Sequence, residues 1–505
     1  MTVSANMNGA PSQVPGNELF SDSNKLDHRG GGAHAESPAP ATAARRSDSF
    51  WPQVAAIVAL TGVGYMFVFA DLVADVLDGS RNAYLLSVPV LILLIVSSYR
   101  SCNDGVGDSE SDWILAVLLG VGGLAGIHLF TQRGPTVAAL WHLDLVGVAF
   151  WVACCAVVVA GSRRVFRAWA AGAFLLCCLT PLPYQLAVAH LGGSDADAAM
   201  VAGALGATAV FLCGRGIALP WRLVAAVGCL LLAAITTTAL DGVVGLTILV
   251  LIAGGAVPVL CAALLYPLRP AADPVHVGGS TPPPLHRSPR TIALLTLGAL
   301  GMLAAHPLQG PPAAPPSAPT DWVTNAGLFQ PTPIPFISRF LGPDASLTRY
   351  TAPAPDGHPP AVVDVMTSPN LAGLRDYTDA VWYPSTEPLN YRPADPELGA
   401  PNGSRVVYNN PDIATSDAEQ HWYAVTWLWR TPDAYERVTV LVNQSNTSPE
   451  PPPMPRALSV SNTMIDPTLW LSRRQSSDPA ELDRSVVHRA AEVVRAITET
   501  HGRDG

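Results

Sequence analysis

Imidazole and carboxylate side chains gather near one end of the chain's apolar segments: His128, His142 with Asp144, His190, and Asp241. Histidine beside a carboxylate can relay a proton or hold a metal ion. Ionisable groups in or near a bilayer are costly enough that they often serve function. The spacing His142-x-Asp144 is not a metal motif, and solvation among headgroups accounts for the same residues equally well. Cys229, in Val224-Ala225-Ala226-Val227-Gly228-Cys229, is the second candidate. A nucleophilic thiol needs a nearby base or cation; here Leu230-Leu231-Leu232 follow, so the sequence alone reads it as a packed cysteine. Thr236-Thr237-Thr238 either bond back to their own helix or line a polar path. No G-x-S-x-G, H-E-x-x-H, Walker loop or dinucleotide fingerprint occurs, so hydrolase, metalloprotease, ATPase and cofactor readings lack support. The sequence implies no cofactor.

These residues must be positioned by an apolar framework. Of 505 residues 49% are hydrophobic and 13% charged, against about 25% charged in soluble domains. Mean hydropathy is +0.29. Residues 1–49 are Gly/Ser/Ala/Pro-rich and aperiodic, which predicts a disordered cytoplasmic tail. Without a signal-peptide pattern, the first apolar block is expected to stay as an anchor. Nine segments then read as transmembrane helices: 51–72, 83–99, 112–130, 138–160, 168–188, 197–214, 221–240, 242–266 and 291–308. Each approaches the ~20 residues a helix needs to cross hydrocarbon. The weakest is 197–214, rich in Ala and Gly, which could be re-entrant instead.

Short basic loops stay cytoplasmic. With the N-terminus inside, inner segments carry Arg45 and Arg46, Arg100, Arg163, Arg164 and Arg167, Arg215 and Arg222, and Arg287 and Arg290; outer loops carry only Arg81 and Arg133. The expected arrangement is therefore a multi-pass plasma-membrane protein, N-terminus in and C-terminal domain out. All eight cysteines lie between Cys102 and Cys261, so the C-terminal domain holds no disulfide. The pairs Cys154-Cys155 and Cys177-Cys178 read as small buried hydrophobes. A net charge of −10 without a basic patch excludes a nucleic-acid partner.

Residues 50–308 thus form a polytopic α-helical domain. A proline-rich connector (309–330) leads to an α+β domain, 331–505. Expected strands are Ala361–Met366, Ala380–Tyr383, Arg405–Tyr408, Trp422–Trp429 and Arg437–Val442, with Trp422–Trp429 central and aromatic enough to be buried. Asp478-Pro479 predicts the start of a terminal helix, whose Leu482, Val486, Ala490, Val493 and Ile497 share a face. Asn443-Gln444-Ser445 and Asn446-Thr447-Ser448 match the glycosylation sequon, a pattern common by chance.

Over residues 50–240 the chain resembles the exosortase/archaeosortase family of membrane-embedded cysteine transpeptidases. The resemblance rests on Tyr84-Leu85-Leu86-Ser87-Val88-Pro89, on the basic turn Gly161-Ser162-Arg163-Arg164-Val165-Phe166-Arg167, on the apolar run from Phe174 to Pro181-Leu182-Pro183, and on Gly216-Ile217-Ala218-Leu219-Pro220 leading to Cys229. It implies an envelope protein acting on surface proteins, with Cys229 as nucleophile and Arg290 and His306 as the nearest downstream arginine–histidine pair. The family's small polar residue and glycine after the cysteine are replaced by leucines, and the eighth segment lacks an interior arginine. The expected function is therefore exosortase-like assistance of surface-protein or polysaccharide processing, with altered or lost catalysis. An active thiol transpeptidase, or a transporter or lipid-handling protein using the outer His/Asp set, are the alternatives. Membrane lipids are the expected partners, with surface proteins or envelope polysaccharide beside them.

Overall fold

A computed structural model describes residues 50–99, 109–268, 289–305 and most of 314–499. The predicted tail, the basic residues Arg45, Arg46, Arg100 and Arg287, and the first part of the proline connector lie outside the described residues. The helices run α1 (Phe50–Gly64), α2 (Met66–Leu77), a 3-10 turn Arg81–Leu86, α3 (Val88–Ser97), α4 (Ser109–Val117) continued through a π-turn into α5 (Gly123–Arg133), α6 (Pro135–Leu140), α7 (Leu143–Ala160), α8 (Ser162–Arg167), α9 (Trp169–Leu179), α10 (Pro181–Leu191), α11 (Asp195–Cys213), α12 (Leu219–Leu240), α13 (Leu246–Leu251) continued through a second π-turn into α14 (Val257–Leu265), and α15 (Pro289–Ala305).

Every predicted apolar segment is helical where described, but nine uninterrupted spans are not what forms. Among the described residues five helices are long and apolar enough to cross a membrane: Glu110–Arg133, Leu143–Ala160, Asp195–Cys213, Leu219–Leu240 and Leu246–Leu265. Two more qualify only as bent pairs, α1 with α2 (78°) and α9 with α10 (65°). Pro181 sits at the second bend; it lacks the N–H that would continue α9, and it starts α10 at a position proline tolerates. Arg81–Ser97 and Pro289–Ala305 are apolar but shorter. Leucines, isoleucines and valines on the outer surface of the spans stay exposed, among them Leu118, Val121, Leu231, Ile235 and Leu264, as expected where lipid is the solvent.

The weak segment 197–214 is a continuous helix, not a re-entrant loop. Ser194 and Asp197 cap its start reciprocally, which satisfies donors left open by the first turn. Its small residues bring neighbours close. A Cβ on Gly203 would lie 2.7 Å from the Ala233 Cβ, and one on Gly206 would lie 2.2 Å from Pro258 Cγ.

The C-terminal part is one seven-stranded antiparallel sheet: β1 (Phe329–Pro333), β2 (Ser346–Thr351), β3 (Ala361–Ser368), β4 (Asn390–Pro393), β5 (Arg405–Tyr408), β6 (Trp422–Arg430) and β7 (Tyr435–Asn443), in the order β1-β2-β3-β7-β6-β5-β4. The short helix α16 (Trp322–Asn325) precedes the first strand, α17 (Ser338–Leu341) and α18 (Leu371–Arg375) lie between strands, and α19 (Arg484–Thr498) closes the domain. Ala380–Tyr383 is a turn rather than a strand. The terminal helix begins after Asp483, whose carboxylate caps it, later than Asp478-Pro479, which lie outside the described residues.

Strand alternation separates two cores. Val363, Val365, Val425, Trp427, Val438 and Val440 pack beneath Val486, Ala490, Val493 and Ile497 of α19. On the opposite face, Leu347, Met366 and Leu374 share a continuous core with Leu140, Leu182 and Ala189 of the membrane half. The described residues thus make one compact unit, the sheet being seated on one end of the helices. The other end gathers basic side chains: Arg164 donates to Gln53, and Arg215 donates to Tyr99 and to the Arg167 carbonyl.

Candidate functional site at the membrane–sheet junction

The His/Asp set is spread over α5, the start of α7 and the ends of α10 and α12. His128 is exposed on α5, its Nε2 3.0 Å from Gln132 Nε2. His142 is half-buried in a left-handed conformation (φ 48°) before α7, and Asp144 is exposed one turn on. His190 ends α10 and Asp241 follows α12, both exposed. Among the described residues no hydrogen bond or ion pair joins any two of these five, and no three His, Cys, Asp or Glu side chains group to hold a metal ion.

Cys229 is completely buried in α12, and its thiol pairs with that of Cys261 on α14. Arg290 is exposed in the first turn of α15, and His306 lies outside the described residues. Cys154, Cys155 and Cys178 are buried, but Cys177 faces outward. Thr236 and Thr238 bond back to α12, as a packing role requires. Trp422, Trp427 and Trp429 are core residues. The Asn443 side chain is buried and donates to the Glu450 carbonyl, which closes the first sequon; Asn446 lies outside the described residues.

A different polar site stands out: the seam where the sheet meets the helices. Arg437 of β7 is 3% exposed; it donates to the carbonyls of Leu374 (2.6 Å) and Tyr377 (3.2 Å) and pairs with Asp379 at 3.1 Å. It thereby holds the stretch after α18 that carries Asp376. The Asp376 carboxylate accepts from Ser80 Oγ (2.6 Å), Arg81 N (2.9 Å) and Asn82 Nδ2 (3.0 Å). Gln185 Nε2 in turn donates to Asn82 Oδ1 at 3.0 Å. Arg81 runs the other way, Nη2 donating to Gly193 O (2.7 Å) and Ser194 O (3.1 Å), with Asp195 at 3.6 Å.

Below this network, Tyr84 and Tyr184 stack with centroids 3.9 Å apart and donate to the carbonyls of Cys178 and Ala198. Two influences oppose each other at Asp376. Burial, with the Asp75 carboxylate nearby, favours the neutral acid, while its donors and the Arg81 charge favour the anion. Burial prevails and raises its pKa to about 7.

Reading Arg81 only as an outer-loop charge missed this joint. Its one sequence signal is Gly79-Ser80-Arg81-Asn82, a polar run between apolar segments; nothing local marks Asp376 as its partner.

Beside the joint lies a cleft of about 550 Å³. Val137 and Leu140 of α6 form one wall, Val381, Trp382 and Leu389 another, and Arg456, Asn462 and Asp466 stand at the rim. Comparison with known protein families, with characterised proteins and with solved structures gives no match to this chain.

Proposed function

We propose that this chain is a multi-pass membrane protein of a cell envelope, in which five unbroken and two bent helical spans hold the α+β domain rigidly outside the cell. The membrane half is exosortase-like with its thiol chemistry lost. The protein assists the handling of surface proteins or envelope polysaccharide as an anchored scaffold. The carrying observation is where buried polarity is concentrated. Cys229 pairs with another thiol, Cys261, whereas Asp376, Ser80, Arg81, Asn82 and Gln185 form a network whose effect is to fix one domain on another.

The orientation is supported by Arg164, Arg167 and Arg215 collecting at the end away from the sheet, because guanidinium-rich loops remain cytoplasmic. The test is a surface-protein processing assay with Cys229→Ala, combined with protease accessibility of the sheet in intact cells. Unchanged processing and an exterior sheet are expected. Loss of processing with normal amounts of variant would restore the transpeptidase reading, and a shielded sheet would overturn the orientation.

A further inference from the structure

Exposed large hydrophobic side chains are rare on the sheet domain. Among the described residues they are Phe329, Met454, Val460, Met464, Ile465 and Leu469. All but Phe329 fall in one stretch, 454–469, and a soluble surface seldom concentrates them so. Val460 (57%) and Ile465 (52%) are as open as Leu231 (58%), which lies on a span.

The stretch is fixed at a definite height. Leu458 is buried in the core shared with Leu140 and Leu182, and Trp141 Nε1 donates to the Thr463 carbonyl at 3.0 Å. Trp141 stands between α6 and the start of the Leu143–Ala160 span. An indole with an apolar body and a hydrogen-bonding edge suits the membrane–water boundary. The π-turn Ser461–Ile465 is therefore tethered where a span meets water, with its apolar side chains turned outward.

We propose that residues 456–467 form an interfacial anchor, with Val460, Met464 and Ile465 embedded among the headgroups and first acyl carbons of the bilayer. Arg456 and Asn462 remain at the wet rim of the cleft behind. The partner is bilayer lipid rather than a protein, because the patch continues from the end of a span. The proposal rests on the reading of the helices as membrane-crossing, but not on which side faces the cytosol.

The test places a photo-activatable diazirine amino acid singly at Val460, Met464, Leu231 and Asp433 in the full chain. The chain is reconstituted in vesicles of phosphatidylcholine and phosphatidylglycerol, and adducts are read by mass spectrometry. Lipid adducts at 460 and 464 are expected within about threefold of those at 231, with the exposed strand-turn position 433 at background. Lipid adducts at 231 alone would overturn the anchor while leaving the membrane reading intact. So would crosslinks from 464 to a second copy or to the chain's own following residues. Absence of lipid at 231 as well would refute both.

Discussion

Asp376→Ala removes the single acceptor on which three donors of the membrane half converge. The Arg81 amide belongs to the backbone of a buried 3-10 turn and cannot turn to water. Asn82 keeps its bond from Gln185 but strands its own Nδ2. Ser80 keeps the bond it accepts from Asn82 N, while its own O–H loses its acceptor. A stranded buried donor costs about 1–3 kcal/mol and neighbouring losses do not add fully, so the joint should weaken by about 3–5 kcal/mol. The apolar seam of Leu140, Leu182, Ile337 and Phe340 remains, so the sheet itself should stay folded.

At 1.4 kcal/mol per decade, local opening should become roughly a hundred to a few thousand times more frequent. Amide exchange on the full chain in lipid nanodiscs reads this directly, in peptides covering residues 80–86 and 371–377, with β6 and β7 as the internal reference. Asp376→Asn should fall between, because its oxygen can serve Ser80 and Asn82 while its amide opposes the Arg81 N–H. Unaltered protection at both peptides in Asp376→Ala would show that the polar network contributes nothing to docking.

Three further outcomes follow from the same geometry. The pKa of Asp376 is raised from 3.8 to about 7, so the docked state keeps a proton that the undocked carboxyl has already lost. Protection of the joint, corrected for intrinsic exchange, should therefore fall as pH rises from about 4 to 7 and level off above, and Asp376→Asn should lack this slope; a protection that climbs over that range contradicts the assignment. Asp364 accepts from Nε and Nη2 of buried Arg349, each at 2.7 Å, and from the Tyr383 hydroxyl at 2.8 Å. Asp364→Leu alone should cost about 3–5 kcal/mol in thermal or denaturant unfolding, and the double change Arg349→Met, Asp364→Leu distinctly less; equal losses would deny that an uncompensated buried charge is the source. Gly193 adopts φ +86°, and a Cβ there would lie 2.2 Å from the Arg339 carbonyl oxygen, so Gly193→Ala should loosen exchange at α17 and residues 80–86 together, whereas an unshifted profile would mean that the two backbones do not meet so closely.

Periodicity carried the helices and the strongest strands, because both are written locally. Arg405–Tyr408 occurs as read, Trp422–Trp429 within one residue, and the α19 stripe docks as its spacing requires. Strands β1, β2 and β4 escaped notice: Phe329–Pro333 contains two prolines, and Asn390–Pro393 is half polar. Each is fixed by its partner's register rather than by its own composition. The count of spans failed for a related reason. Hydropathy adds residues along the chain and does not register a 78° bend at Tyr65 or a 3-10 turn at Arg81–Leu86. Among the described residues no bond joins the members of the His/Asp set, and hydropathy, which fixes height along a helix but not rotation or neighbour, gives no such pairing. The joint that did form links residues 295 positions apart, a pairing to which no local pattern points.

The alanine- and glycine-rich α11 has the lowest hydropathy of the five long spans and two aspartates in its first turn, yet it packs against α3, α10, α12, α13 and α14. A segment so poorly suited to lipid gains most when partners already surround it. In the proposed membrane protein its stable insertion is therefore coupled to the arrival of α12 and α14, which follow it in the chain. Assembly of this protein should pass through a stage in which the helix destined for the middle waits at the translocation channel for those that will enclose it.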